Sequence, residues 1–188
     1  MKVMVISDIH GSSEALKKAV LAFETEKCDK LLILGDVLYH GPRNDLPEGH
    51  NPKECIDILN SLSDKIIGVK GNCDAEVDQM VLNFPIMSDY LFLELGDKTV
   101  FATHGQNLES QLESVAKNAS VILSGHTHVT TFKKENGKIF ANPGSISLPK
   151  EETKPGYIIL DSAKLFLKIN YRITLKTLEG ETVESFNF

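Results

Sequence analysis

The sequence has 188 residues, of which 41% are hydrophobic and 24% charged, and its net charge at pH 7 is −6. This length suits one domain of roughly 100–200 residues, and the composition excludes a disordered or fibrous chain. The acidic balance leaves no broad basic face, so we expect no extended nucleic-acid partner. A small phosphate ester stays compatible with the sequence, because bound metal ions supply local positive charge.

Neither a membrane span nor a secretory leader is predicted. No apolar run reaches the roughly 18–20 residues of a span or the about 7–15 residues of a leader. The three cysteines, Cys28, Cys55 and Cys73, are odd in number and lack paired close spacing, which argues against a disulfide framework. We therefore expect a cytoplasmic protein with no membrane partner and a single domain over residues 1–188.

The first third of the chain alternates β-branched runs with amphipathic stretches, which is typical of a strand, a crossover helix and a parallel strand. Ser12 or Ser13 is predicted to cap the first helix. Asn51-Pro52-Lys53-Glu54 is typical of an N-cap, a proline at the first helical position and a capping-box glutamate, and it predicts a second helix. Strands are predicted at 3–7, 31–34 and 66–69.

The rest of the chain is predicted to be richer in strands. A short helix is expected near 76–82 and a longer one over 108–119. The Asn-Gly pair within 135–138 predicts a hairpin with a type I′ turn. Strands are predicted at 91–95, 100–103, 121–124, 157–160 and 165–178. The pattern therefore indicates an α/β fold in the N-terminal part of the chain and a more purely β arrangement in the C-terminal part.

Polar residues that bind metal ions follow five of the predicted strands. The clusters are Asp8-Ile9-His10, Gly35-Asp36, Gly71-Asn72-Cys73-Asp74, Thr103-His104-Gly105 and Gly125-His126-Thr127-His128. Ligand sites in open α/β sheets form at the carboxyl ends of strands, because the loops there converge on one crevice. The neighbouring glycines allow the sharp turns that would aim these side chains at one centre.

Each cluster also has a structural interpretation when taken alone, such as a helix cap, a turn residue or a histidine satisfied within the core. Independent accidents would not all fall at strand ends, however, so we favour a metal site. Two carboxylates, one amide oxygen and four imidazoles suit manganese, iron, zinc or cobalt better than calcium or magnesium. Seven ligands exceed one tetrahedral site and suit two ions that share a carboxylate, roughly 3.5–4 Å apart.

These clusters, in this order, resemble the motif set of the calcineurin-like metallophosphoesterases, and more closely the small bacterial phosphodiesterases of the YfcE type. The resemblance covers most of the chain from residue 1 to about 160. It is also carried by Gly35-Asp36-Val37-Leu38 through Gly41-Pro42-Arg43-Asn44, Leu46-Pro47-Glu48-Gly49, Glu76-Val77-Asp78-Gln79-Met80 and Asn142-Pro143-Gly144-Ser145. It implies a four-layer α/β/β/α sandwich of two mixed β-sheets flanked by helices.

The resemblance further implies a phosphodiesterase with two divalent metal ions, in which a water held between the ions attacks phosphorus in line. Manganese is the ion we expect, with zinc, iron, cobalt or nickel as alternatives. The substrate would be a small phosphodiester. The implied ligands are Asp8, His10 and His128 for the first ion, Asn72, His104 and His126 for the second, and Asp36 as the bridge.

Cys73 departs from the superfamily pattern, which mostly has histidine after Gly-Asn. That histidine is thought to donate a proton to the leaving oxygen or to steady the transition state. Cys73 is either a small buried hydrophobe or a poor proton donor, because a thiol pKa of about 8.5 matches neutral pH less well than an imidazole pKa of about 6.5. We therefore predict good hydrolysis of aryl diesters and weak hydrolysis of alkyl diesters.

Residues in the loop after Asp36 are predicted to approach the substrate. Arg43 would hold a phosphate oxygen, with a solvated loop arginine as the alternative. His40 would approach the substrate from the same loop, whereas His50 is expected at the surface. Residues 142–145 are expected to shape the backbone near the site.

Two other functions stay open. A scaffold of this fold, as the retromer subunit is, acts through its surface and has lost part of the metal site, whereas no ligand is missing here. A phosphomonoesterase or protein phosphatase is disfavoured by the cysteine at position 73 and by the small size. The apolar, strand-rich tail offers an edge for a homo-oligomer.

Overall fold

The structure is a computed structural model that describes residues 1–165 and 168–188. Its helices are α1 (Ser13–Thr25), α2 (Pro52–Ser61), α3 (Glu76–Gln79) and α4 (Leu108–Ser114), with a 3-10 turn at Ser63–Lys65. Its strands are β1 (Lys2–Ile6), β2 (Lys30–Ile33), β3 (Ile66–Gly68), β4 (Tyr90–Leu95), β5 (Lys98–Thr103), β6 (Val121–Leu123), β7 (Thr131–Glu135), β8 (Lys138–Asn142), β9 (Gly156–Leu165), β10 (Lys168–Thr177) and β11 (Thr182–Asn187).

The strands form two mixed sheets. The first sheet has the order β11-β10-β9-β1-β2-β3, and the second has the order β4-β5-β6-β8-β7. In the first sheet β1, β2 and β3 run parallel, and β9 joins β1 in the antiparallel sense. In the second sheet β5, β6 and β8 run parallel between two antiparallel edge strands. Each sheet thus brings parallel carboxyl ends to one edge.

Three apolar cores separate four layers. Helices α1 and α2 pack on one face of the first sheet through residues such as Leu16 and Leu59. The opposite faces of the two sheets share a second core, and α4 covers the outer face of the second sheet next to Phe101. Strand β1 alternates between the first two cores because successive side chains point to opposite faces. The α/β/β/α sandwich implied by the resemblance is confirmed.

Local signals for element boundaries are also confirmed. The Ser12 hydroxyl accepts a hydrogen bond from the Ala15 amide at 3.2 Å and caps α1. Asn51 caps α2 by accepting from the Glu54 amide at 3.2 Å, although the Glu54 carboxylate faces the Asn51 side-chain amide at 3.4 Å rather than the backbone. Asn136 and Gly137 both have positive φ, 50° and 79°, as a type I′ turn requires.

Helix α3 ends at Gln79 rather than near residue 82, and two other elements differ more clearly from the prediction. Helix α4 ends at Ser114. Ala116 and Ala119 lie in the loop that follows it, and this loop buries them by packing on the second sheet. Strand β11 is mostly exposed and, among the residues that the structure describes, pairs only with β10, so it shows no alternating pattern that predicts it. Positions 166–167 of the strand predicted over 165–178 lie outside the described residues.

None of the helices in the described ranges has the length and apolar character that crossing a bilayer requires.

Candidate metal centre

The seven candidate ligands lie on loops that follow the parallel strands β1, β2, β3, β5 and β6. Backbone hydrogen bonds tie these loops to one another. The Asp8 amide donates to the Gly35 carbonyl at 3.2 Å, and the Gly125 amide donates to the His104 carbonyl at 2.7 Å. Loops from both sheets therefore converge at one edge, which brings together side chains up to 120 positions apart in the chain, those of Asp8 and His128.

The backbone of these loops is strained at the candidate ligands themselves. A positive φ costs an L-residue roughly 1–2 kcal/mol, so it persists only where the surrounding structure imposes it, and such residues cluster at functional sites. Five candidate ligands have φ between 49° and 69°: Asp8, His10, Asp36, His126 and His128. The fold thus maintains an unfavourable conformation in order to place these side chains.

Two glycines allow the loops to approach one another. A Cβ at Gly71 would lie 2.1 Å from Asp36 Oδ1, and a Cβ at Gly125 would lie 1.9 Å from Ser7 Oγ. Both distances are far below van der Waals contact, so a larger residue at either position would push the loops apart.

The first group of candidate ligands is a triangle of one carboxylate oxygen and two imidazole nitrogens. Asp8 Oδ1 lies 3.6 Å from His10 Nε2 and 3.3 Å from His128 Nε2, and the two nitrogens are 3.1 Å apart. Asp8 Oδ2 accepts hydrogen bonds from Ser7 Oγ and the His126 amide at 2.6 and 3.1 Å. Asp8 Oδ1 is buried without a hydrogen-bond partner among the described residues. A buried, unpaired carboxylate oxygen is costly, and a cation would satisfy it.

The second group lies around the Asn72 side chain. Asn72 Oδ1 is 3.0 Å from His104 Nε2 and 2.7 Å from His126 Nδ1. Asp36 stands between the groups, with its Oδ2 atom 3.7 Å from His10 Nε2 and 3.5 Å from His104 Nε2. The other oxygen, Asp36 Oδ1, accepts from the Cys73 amide at 2.8 Å. One carboxylate oxygen is therefore oriented toward both groups.

Backbone carbonyls orient three of the four histidines. The Nδ1 atoms of His10, His104 and His128 lie 2.7, 2.6 and 2.7 Å from the carbonyl oxygens of Tyr39, Leu34 and Leu148 respectively. A carbonyl oxygen can only accept, so Nδ1 carries the proton and, in the neutral ring, Nε2 directs its lone pair at the centre. His126 differs because its Nδ1 atom faces the centre.

The charges of the cluster stabilise one another. Burial by itself would raise the pKa of Asp8, but the neighbouring imidazoles of His10 and His128 hold that pKa below its usual range. Burial would lower the pKa of His104, whereas the hydrogen bond to Asp36 raises it to about 9. Both carboxylates are therefore kept anionic, which is the state that binds a metal ion.

Comparison with known proteins agrees with this geometry. The sequence model of the calcineurin-like phosphoesterase superfamily domain matches residues 1–164. The chain belongs to this superfamily. It is 42% identical over 163 residues to phosphodiesterase YfcE of Escherichia coli strain K12, covering 86% of this chain and 88% of the relative. It is 30% identical over 169 residues to the probable metallophosphoesterase YsnB of Bacillus subtilis strain 168, covering 85% and 83%.

Solved structures agree with the family. The structure of Escherichia coli YfcE, described as a phosphoesterase, superposes with a TM-score of 0.85 at 35% identity and covers 99% of this chain and 98% of that chain. A zinc complex of Vps29 from Entamoeba histolytica superposes with a TM-score of 0.67 at 21% identity, over 100% and 99% of the two chains, and shares the fold. The superfamily depends on divalent metal ions, and this chain brings together groups that can bind them.

Two further residues, Asp74 and Ser145, hold the phosphoesterase loops. The buried Asp74 carboxylate accepts hydrogen bonds from the amides of Asp36, Val37 and Gly71 at 2.9, 2.8 and 2.8 Å. The Ser145 hydroxyl donates to the Asp8 carbonyl at 2.7 Å, which agrees with the backbone role expected for 142–145. The contacts of Asp74 follow no periodic pattern, so no sequence signal reveals its role.

A cleft of about 420 Å³ opens beside the candidate ligands. Arg43 and Cys73 line this cleft, together with Lys150, which sequence reasoning missed. Cys73 is half-buried, and burial, followed by the charge of Asp36, raises the pKa of its thiol to about 12. The Cys73 side chain is therefore a neutral thiol at pH 7, a weaker acid than the sequence alone implies.

Neither of the other two histidines lines the cleft. The ring of His40 packs edge-on against Tyr39 and His50, with centroid distances of 4.9 and 5.5 Å. A substrate role for His40 stays a prediction. His50 was expected at the surface, but it is half-buried and its Nδ1 atom lies 3.1 Å from the His10 carbonyl oxygen. His50 thus supports the backbone of a candidate ligand.

Proposed function

We propose that this chain hydrolyses small phosphodiesters with two divalent metal ions bound at the cluster, and that it acts best on activated aryl leaving groups. The observation that carries the proposal is the position of Asp36 Oδ2, between one group formed by Asp8, His10 and His128 and a second formed by Asn72, His104 and His126. By family and by its named relatives the chain is a phosphoric diester hydrolase.

The residues present fit such ions. The unpaired, buried Asp8 Oδ1 atom supports a cation in the first group, because a proton-free carboxylate oxygen in that place needs a partner. The donors are oxygen and nitrogen atoms with no thiolate required, which suits first-row transition ions better than calcium or magnesium. We propose manganese first, with zinc, iron, cobalt or nickel as alternatives.

When bound, two such ions would lower the pKa of a water molecule and offset the charge that develops on the phosphoryl oxygens. Asp36 would be the shared ligand, and its orientation is maintained by the Cys73 amide and by Asp74 beneath its backbone. The carbonyl contacts of His10, His104 and His128 would place the proton of each neutral ring on Nδ1 and aim Nε2 at the ions.

Arg43 is the residue proposed to hold a non-bridging oxygen of the phosphodiester, because it lines the cleft and guanidinium groups bind phosphate through paired hydrogen bonds. Cys73 occupies the position where a proton donor would assist the leaving oxygen. A neutral thiol with a pKa of about 12 supplies little of that assistance. This is the reason for proposing a preference for aryl leaving groups, which depart without a proton.

Metal-stripped protein tests the proposal. We expect bis(4-nitrophenyl) phosphate to be hydrolysed only after manganese, zinc or another transition ion is restored, and Asp36→Ala to abolish the activity. Asp57→Ala, an exposed position on α2, is the matched control and keeps full activity. Activity of stripped protein, or of Asp36→Ala, would contradict the metal mechanism.

The same assay separates the alternatives. Faster hydrolysis of 4-nitrophenyl phosphate than of the diester would indicate a phosphomonoesterase instead. Inactivity with every metal, despite binding of two ions, would favour a scaffold. We also propose that residues 1–188 act as one domain, since both sheets contribute to one core and one site. The cytoplasmic compartment, the lack of nucleic-acid and membrane partners and a homo-oligomer stay predictions.

A further inference from the structure

Two cations of this acidic chain line the same cleft without a partner. Some lysines elsewhere form ion pairs, such as Lys17 with Glu54 and Lys18 with Glu14. Arg43 and Lys150 both line the cleft beside the candidate ligands. Within 1–165 and 168–188, neither side chain forms a salt bridge. Their charges are therefore available to a ligand.

The backbone of Lys150 is held at both of its polar groups. Its amide donates to the carbonyl of His128, a candidate metal ligand, at 3.1 Å. Its carbonyl accepts from the Thr153 amide at 3.0 Å and from the Thr153 hydroxyl at 2.7 Å. The base of the Lys150 side chain is thus tied directly to the loop that carries His128.

The turn that follows Lys150 is strained. Glu151 and Glu152 have φ of 53° and 59°, two consecutive L-residues in the left-handed region. Such a conformation is unfavourable for any residue other than glycine and persists where neighbouring contacts impose it, which is frequent at functional sites. Here it turns the chain immediately after Lys150 and brings Thr153 back to the Lys150 carbonyl.

A simple phosphodiester carries one negative charge, which Arg43 and the proposed metal ions would already neutralise. The cleft of about 420 Å³ falls within the range of pockets that bind small molecules and leaves room beyond the reacting group. We infer that Lys150 binds a second anionic group of the substrate, so that the natural substrate class is a phosphodiester bearing an additional phosphate. This inference rests on the proposed function and specifies the substrate class of the same cleft.

A matched pair of substrates tests the inference. Thymidine 5′-(4-nitrophenyl phosphate) and its 3′-phosphorylated form share the scissile bond and the leaving group, and they differ in the second phosphate. We expect metal-loaded wild-type protein to favour the 3′-phosphorylated form in kcat/KM by about tenfold, the contribution of one charge-assisted contact. Lys150→Gln should lower this ratio to near one, whereas Lys154→Gln, a lysine on the same segment, should keep it.

A second readout needs no turnover. Calorimetric titration of metal-loaded protein should give a lower Kd for thymidine 3′,5′-bisphosphate than for thymidine 5′-monophosphate, and Lys150→Gln should remove the difference. A wild-type ratio near one, or an unchanged ratio in Lys150→Gln, would overturn the inference and leave the proposed function intact. Hydrolysis of neither substrate with any metal would instead overturn the proposed function and this inference with it.

Discussion

The Nε2 atoms of His10 and His128 face each other across 3.1 Å, although each ring already donates its Nδ1 proton to a backbone carbonyl. In neutral rings both Nε2 atoms therefore present lone pairs to the same point. Asp8 Oδ1 faces this point as well, at 3.6 and 3.3 Å from the two nitrogens. Three electron-rich atoms in such an arrangement repel one another unless a positive charge lies among them.

The first prediction concerns that arrangement. Addition of saturating manganese to the stripped wild type should raise its Tm, because an ion that binds only the folded state at 100 times its Kd adds about 2.7 kcal/mol of stability. Asp8→Asn removes the anionic oxygen and should lose most of this increase. Scanning calorimetry with and without metal measures it, with Asp57→Asn as the control. An Asp8→Asn variant stabilised as much as the wild type would show that the ion binds elsewhere.

Asp74→Asn tests the support beneath Asp36, the proposed bridging residue. An amide has one acceptor oxygen, so at least one of the buried amides of Asp36, Val37 and Gly71 would lose its partner. We expect a loss of about 2 kcal/mol in unfolding free energy and a reduced kcat. Asp78 lies on α3, and its carboxylate accepts a hydrogen bond from the amide of Ala75, just before the helix. Asp78→Asn should therefore have a much smaller effect on the unfolding free energy and on kcat. Equal effects of the two variants in denaturant unfolding would refute this role of Asp74.

Cys73→His should restore a proton donor beside the cleft. Because general acid catalysis contributes typically 10²–10⁴-fold, we expect at least about a tenfold gain in kcat on alkyl phosphodiesters and little gain on aryl ones. Cys73→Ser, which adds no donor of suitable pKa, serves as the control and should gain on neither. If the histidine variant gains nothing on alkyl substrates, the explanation of the aryl preference is wrong.

A pH dependence of stability is expected from Glu26, which lies away from the candidate metal ligands. Its carboxylate contacts Lys176, accepts from the Tyr157 hydroxyl at 3.2 Å and lies 3.6 Å from Lys2 Nζ. Burial alone would raise the pKa of Glu26, but Lys176 and the other partners lower it below 4.5. A lowered pKa in the folded state means that the stabilisation is complete above pH 4.5 and is lost as the pH falls through the folded-state pKa.

Glu26→Gln should therefore be less stable than the wild type by about 1 kcal/mol at neutral pH. Urea unfolding at several pH values should show this difference shrinking below about pH 4.5, the range where the wild-type carboxylate takes up its proton. A difference that stays constant down to acid pH would mean that packing rather than charge accounts for the effect.

Local features of this chain could be predicted because they depend on neighbouring residues. The cap at Ser12, the proline-led start of α2 and the Asn136-Gly137 turn each satisfy backbone groups a few positions away, so their residue types suffice. The end of α4 could not be predicted in this way. Ala116 and Ala119 keep a helical spacing, but they are buried by contact with the second sheet, which the spacing does not reveal.

The chemistry of the candidate site could likewise be predicted from the residue types at strand ends. The carboxylates, amide and imidazoles could be assigned to one cluster because parallel strands end at the same edge. The roles of Asp74, His50 and Lys150 could not be recognised, since each depends on a contact with a residue on another loop.

The sequence by itself therefore determined most of the elements, the kinds of candidate ligand and the departure at Cys73, since these depend on local order and on side-chain chemistry. Only the tertiary structure decided that Asp36 Oδ2 stands between the two ligand groups, that the Cys73 thiol stays neutral and that Lys150 enters the cleft. The physical reason is distance. Hydrogen bonds, charge and burial act over a few ångströms in space, and the candidate ligands that meet here are separated by up to 120 positions in the chain, from Asp8 to His128.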